Sequence, residues 1–201
     1  MRNRLALFLV ILLAACCASA DARKAVEKIR KADAEFRRHN VAGAEKLLRE
    51  AIKEDPDNME GHTMLGDLLS RTQRFSQATQ EYGRVLELDE KQKKLSDRDR
   101  RHVVDWQGLA YAQSGDLPRA KSIYLDALKQ DPDFAGYNYN LACVYAEQQD
   151  LETALPYLKK AWEKRDTLPV DEPFPDPRKD DSFKPYWDNP RFVETVRNMV
   201  Q

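Results

Sequence analysis

Alanine recurs in this chain at one fixed distance. Ala44 and Ala78 are 34 residues apart, as are Ala120 and Ala154; the step from Ala78 to Ala120 is 42, the same interval with eight residues added. Three further columns keep that step: Ala32, Gly66, Gly108 and Ala142; Leu48, Tyr82, Tyr124 and Leu158; Ala51, Val85, Ala127 and Ala161. Small residues recur where two helices must approach closely, and large apolar ones recur where a gap must be filled. The stretch from Trp106 to Pro132 shows what one interval encodes. Val104, Gln107, Gly108 and Tyr111 share one helical face, and Ala120, Ile123, Tyr124, Ala127 and Leu128 share another. Between them Gly115 suits a left-handed helix end and Asp116 an N-cap, while Pro118 falls in the first turn, where a missing N–H costs little. A lone helical hairpin cannot bury its apolar face. Stacked neighbours of the same kind can.

A 34-residue period with this small/large pattern resembles the tetratricopeptide repeat (TPR), over four units from about Lys28 to Asp166. The resemblance implies an all-α, right-handed solenoid of about four helical hairpins, with units near 25–58, 59–90, 100–134 and 135–166. Composition agrees with an all-α chain: only seven glycines, no run of alternating β-branched residues, 42% apolar and 33% charged residues. With 33 Lys+Arg against 34 Asp+Glu there is no basic excess of the kind a nucleic-acid-binding chain carries.

The N-terminus reads as a targeting segment, residues 1–20. Met-Arg-Asn-Arg is a positive start, and Leu5 to Leu13 is an apolar run too short for a comfortable membrane span. Leu13-Ala14-Ala15-Cys16 resembles a bacterial lipobox, which implies lipid attachment at Cys16. Ala18-Ser19-Ala20 fits ordinary signal cleavage, which would release a soluble chain from Asp21; a retained anchor is the third alternative. After either cut the thiols left, Cys17 and Cys143 or Cys143 alone, make no disulfide framework. The fold is expected to stand on packing.

Asp21 to His39 is expected to form the first helix, with Val26, Ile29, Ala32 or Asp33, and Phe36 as its apolar stripe. Asn40 is expected to cap the second, where Ala44, Leu47, Leu48, Ala51 and Ile52 face the core. Lys31 and Glu35 depart from the repeat pattern, as terminal units facing water commonly do. His39, His62 and His102 have no second ligand at metal spacing and read as packing or surface residues. Glu90 to Arg101 holds the added residues; Ser96 with Asp99 suggests that the next helix starts early and overhangs by about two turns. Its six Lys and Arg make it the most basic segment, read as a solvated face, with a docking surface for an acidic partner or lipid headgroups as the alternative.

In the fourth unit Leu141, Ala142 and Tyr145 should face their own second helix, with Tyr139, Cys143 and Ala146 on the opposite side. Pro156 is awkward in the helix beginning near Leu151, since it removes a backbone hydrogen bond. From Thr167 to Pro190 six of the ten prolines exclude regular helix over most of the stretch. Phe174, Phe183, Tyr186 and Trp187 are too many aromatics for a free linker, so this segment should lie back over the last repeat. Asn189-Pro190 then opens a capping helix with Phe192, Val193, Val196 and Val200 on one face, completing residues 167–201.

No H-E-x-x-H, C-x-x-C, Gly-rich phosphate loop or G-x-S-x-G occurs, and Asp97/Asp99 and Asp180/Asp181 read as surface charge. No enzyme activity, cofactor or metal is expected; a thiol-dependent enzyme using Cys143, the one intrinsically reactive side chain, is the distant alternative. The resemblance implies instead a concave peptide groove. Carried onto this chain, its columns are Asp33, Phe36 and Arg37; Thr63, Asp67 and Arg71; Asp105, Leu109 and Gln113; Tyr139, Cys143 and Glu147. Asp67 and Cys143 stand where the subgroup that clamps a partner's C-terminal carboxylate has Asn, so an extended peptide or partner helix is the implied ligand. The layout as a whole is similar to small bacterial envelope lipoproteins that hold another envelope protein.

Overall fold

The computed structural model describes the backbone from Arg2 to Met199 and side chains from Ala20 to Met199. Cys16, the processing sites before Ala20, and Val200 lie outside the described side chains. Helices and turns account for the described secondary structure, with no strand among those residues. The chain divides into two compact units, residues 1–95 and 96–201.

The first unit holds α1 (Arg2–Arg37), α2 (Val41–Glu54), α3 (Met59–Arg71) and α4 (Phe75–Gln92). The second holds α5 (Asp97–Gln113), α6 (Leu117–Gln130), α7 (Ala135–Glu147), α8 (Leu151–Glu163), 3-10 turns at Arg165–Thr167 and Asp181–Tyr186, and α9 (Pro190–Met199). The first helix therefore continues upstream of the expected start at Asp21. Its buried stripe is Ala25, Ile29 and Ala32, while Val26 is exposed. Ala25 extends the Ile29/Ala32 face by one helical turn, which leaves Val26 pointing away.

Each hairpin closes the same way. The N–H of Asn40 bonds the Glu35 carbonyl, and Arg74 bonds Leu69, Asp116 bonds Tyr111, and Asp150 bonds Tyr145, each at 2.8–2.9 Å. This is the six-to-one bond of a Schellman ending, and it needs a left-handed residue just before the donor. Those residues are His39, Gln73, Gly115 and Gln149, at φ from 59 to 82°. Only one is glycine; each of the others carries the strain of an L side chain held at positive φ. The next helix is then capped by the side chain of Asn40, Asp116 or Asp150, each accepting from the backbone N–H three residues on.

Within a hairpin the small/large columns meet. A Cβ on Gly66 would stand 2.6 Å from the Tyr82 ring, and one on Gly108 only 2.4 Å from that of Tyr124. These two contacts demand glycine. The eight added residues are shared between two helices, contrary to the expected two-turn overhang of one. α4 has 18 residues against 14 in α2 and α6, and α5 has 17 against 13 in α3 and α7. Lys93, left-handed at φ 52°, separates them, and the buried Asp89 carboxylate accepts the N–H groups of Lys94 and Leu95 at 2.9 and 2.8 Å. Ser96 caps α5 as its sequence indicates.

α8 runs through Pro156, which sits on the exposed side beside the exposed Glu152, so the carbonyl deprived of a partner is on the solvent side. Beyond α8 the core continues: Phe183 and Phe192 stack at 5.5 Å and are buried with Val196 and Met199 against Ala142, Leu155 and Leu158. Phe192 falls 34 residues beyond Leu158, so α9 occupies the second-helix position of a fifth interval. The Pro-rich chain replaces that interval's first helix.

Candidate functional site

In the first unit the face carried by α1 and α3 is open. Arg37 pairs with Asp33 at 2.8 Å and Arg71 with Asp67 at 2.8 Å, each one turn along its own helix. The Arg71 guanidinium lies 5.7 Å from the centre of the Phe36 ring, so α1 and α3 meet through a cation–π contact between two positions named from the sequence. Thr63 turns inward and donates to the Met59 carbonyl at 2.8 Å, so it offers little to a ligand. What remains is one aromatic ring among alternating charges. Nearby His62 is buried, with its two ring nitrogens 2.7 Å from Glu81 Oε2 and 3.1 Å from the Pro56 carbonyl, a packing role as its sequence context indicates.

In the second unit the corresponding face is largely filled. On α7, Tyr139 is buried and donates its hydroxyl to Asp180 at 2.8 Å; the Cys143 sulfur lies 3.7 Å from the same carboxylate; Glu147 accepts from the Ser182 hydroxyl at 2.8 Å. Tyr186 donates to the Ala146 carbonyl at 3.1 Å. Phe174 packs edge-on between Tyr139 and Trp162, with ring centres 5.5 and 5.2 Å away. The expectation that Tyr139, Cys143 and Glu147 line a free groove is therefore corrected: residues 168–187, here called the strap, lie on them. A strap over the last repeat was legible from its aromatics. Its choice of the groove face was not, because Asp180 belongs to no periodic column.

Burial, and then the Asp180 charge, push the Cys143 thiol well above its ordinary pKa. A half-buried thiol held in its protonated form beside a carboxylate is a poor nucleophile, so the geometry gives Cys143 a packing role. Burial likewise raises the Tyr139 hydroxyl, reinforced by Cys143 and Asp180.

On α5, Leu109 and Gln113 are exposed, whereas Asp105 is turned in toward α7. Its carboxylate accepts from the Asn140 amide in a short contact, and the Tyr124 hydroxyl donates to its backbone carbonyl at 3.2 Å. Burial pushes the Asp105 carboxyl up to about 7, with Asn140 and Tyr124 pulling the other way. Asn140, which sequence reasoning missed, sits one residue past the Tyr139 column. Between α5, α7 and the strap is a hollow of about 170 Å³; Arg98, His102 and Asp105 line one side, Tyr139 and Asn140 another, Pro169, Glu172 and Phe174 the third. Among the described residues no group of three or more His, Cys, Asp or Glu is arranged to hold a metal ion.

Capped helical hairpins joined by an identical ending, with small and large residues meeting at fixed columns, define a helical-repeat interaction module. Two tetratricopeptide repeat family models match, one over residues 36–96 and the other over 107–169, together more than half of the chain, and the protein belongs to that family. Solved structures of MamA share the fold. One is 18% identical with a TM-score of 0.60 over 74% of this chain and 82% of that one; MamA MSR-1 is 24% identical with a TM-score of 0.57 over 69% and 75%. No curated protein matches the chain.

Proposed function

We propose that this TPR protein is a non-enzymatic adaptor of the bacterial cell envelope, exported, tethered to a membrane by lipid on Cys16, and holding another envelope protein as an extended peptide or helix. The observation that carries the binding reading is the open α1/α3 face, where Phe36 and Arg71 form one platform flanked by Asp33, Arg37 and Asp67. Ion pairs that are 40–77% exposed contribute little to stability, so these charges are free to serve recognition. The tether reading rests on Leu13-Ala14-Ala15-Cys16. The Ala18-Ser19-Ala20 site supports a second reading, a soluble binding module in the same compartment.

Two measurements test this. Metabolic acyl labelling should mark the protein and be lost in Cys16→Ala; no label on the wild type rejects the tether in favour of the soluble form. Charge reversal at both Asp67 and Arg71 should reduce co-purification of the envelope partner while leaving helicity unchanged. Undiminished capture moves the binding face elsewhere.

A further inference from the structure

The strap is fastened unevenly. From Asp180 onward it is locked: Asp180 on Tyr139, Ser182 on Glu147, Tyr186 on Ala146, and Phe183 wholly buried. Its front half, residues 168–175, is held otherwise. Asp171 and Glu172 reach Arg98 and His102 only at 3.4 and 3.9 Å, the first pair well exposed and the second partly so, and Val170 is fully exposed. Phe174 enters between Tyr139 and Trp162, Leu168 and Pro169 are half-buried, and the 170 Å³ hollow runs alongside all three. Exposed ion pairs at such distances add little. The front half is a loose occupant of a site that recognises it.

What the site recognises can be read from what lies on it. The Arg98 guanidinium and the His102 ring on α5 face two carboxylates of the strap, and the Tyr139/Trp162 slot takes an aromatic ring edge-on. Pro173 and Pro175 keep the chain extended on either side of that ring and present no N–H that would need a partner. We propose that residues 168–175 are a built-in placeholder on the α5/α7 face, and that the ligand displacing them is an extended protein segment of the same chemistry, with acidic residues followed by an aromatic flanked by prolines. This rests on the reading that the protein holds a partner as an extended peptide, places a second such face on α5 and α7, and adds the ligand class and the competition. A trans segment that fills the hollow gains contacts the strap does not make, and has only the front half to displace, since Phe183 and α9 stay seated.

The test uses the full chain and a fluorescent synthetic peptide of its own residues 168–178, followed by anisotropy. Wild type should bind it weakly. The release variant Glu172→Gln/Phe174→Ala should bind about tenfold more tightly or better, because the competent fraction rises once the placeholder is weakened. Adding Arg98→Glu to that variant should abolish the gain. Equal affinities, or no binding by the release variant while its circular dichroism is unchanged, overturn the proposal. Should Phe174→Ala disturb folding, the exposed pair Asp171→Asn/Glu172→Gln must shift affinity in the same direction, and no shift is equally fatal. Concentration-dependent dimerisation of the release variant makes a second copy the occupant and also overturns it. The assay contains no envelope partner, so a flat result leaves the adaptor reading standing, and loss of partner capture leaves the peptide result standing.

Discussion

Replacing Asp105 by Asn is expected to make the protein more stable in neutral and alkaline solution and to flatten its dependence on pH. Burial pushes the folded carboxyl up to about 7 from an ordinary 3.8. Between those values the folded protein holds a proton that the unfolded chain has lost. Unfolding then releases protons, so stability falls as pH rises, and the full loss is present above about pH 7. At roughly 1.4 kcal/mol per pH unit the gap sets a ceiling of about 4 kcal/mol. Because the carboxyl lines the hollow, water beside it should reduce the cost, and about 2 kcal/mol is the expected gain for the variant. The amide suits the site: like the protonated acid it carries a donor and an acceptor, and its oxygen can still accept from Asn140. Urea unfolding of wild type and Asp105→Asn at about pH 5 and about pH 8 gives the difference of differences, which cancels groups that titrate in both proteins. An Asp105→Asn protein that is less stable than wild type at the higher pH, or a gap that does not widen between the two, would refute the reasoning.

Three further substitutions probe the frame. Gly108→Ala should destabilise by about 1–2 kcal/mol in thermal melts, because a Cβ 2.4 Å from the Tyr124 ring costs more than the ~1 kcal/mol that alanine adds to a helix; a stabilised variant would mean the ring moves freely. Phe183→Ala, at a wholly buried site stacked on Phe192, should lose about 3–5 kcal/mol and weaken the near-ultraviolet signal of the Tyr186 and Trp187 region; a loss under ~1 kcal/mol would show that the strap is not seated. Pro156→Ala should raise stability by about 1–3 kcal/mol, since α8 is already helical there and the change restores an N–H on its exposed side; a lower melting temperature would show that proline serves an unseen contact.

The repeat was legible because its constraints are local and recur. Gly66 and Gly108 must be small for the same reason, and Asn40, Asp116 and Asp150 close the same orphaned N–H groups, so one interval predicts the next. The left-handed positions were half hidden: Gly115 announces itself, whereas His39, Gln73 and Gln149 adopt the same backbone without a sequence mark. Columns also place Asp33, Asp67 and Arg71 on their faces, where the structure has them exposed in ion pairs. Columns fail wherever the chain stops repeating. The eight added residues offered no cue to a split between α4 and α5, because Asp89 closes the junction from within α4 and belongs to no repeating column. Tyr139, Cys143 and Glu147 occupy the expected positions, yet what covers them is set by Asp180 and Ser182, some 35 to 41 residues away and outside any period.

That failure has a physical source that also explains how the second unit ends. An interval needs two helices, and the fifth supplies only the second: Phe192 keeps the 34-residue step, while prolines at 169, 173, 175 and 177 deny a helix to the first. The end of α7 and α8 still has to be kept dry. Phe183 and α9 do so on the core side. A first helix would have closed the same gap and presented a face of its own. Extended chain covers more distance per residue than helix, about 3.1 Å against 1.5 Å, so it reaches past the core onto the Tyr139/Cys143 face of α7 and to Arg98 and His102 on α5. Capping the stack and covering the Tyr139/Cys143 face of α7 thus follow from the same prolines. The two roles divide at Asp180, which is why weakening Phe174 and Glu172 should free the face without opening the core.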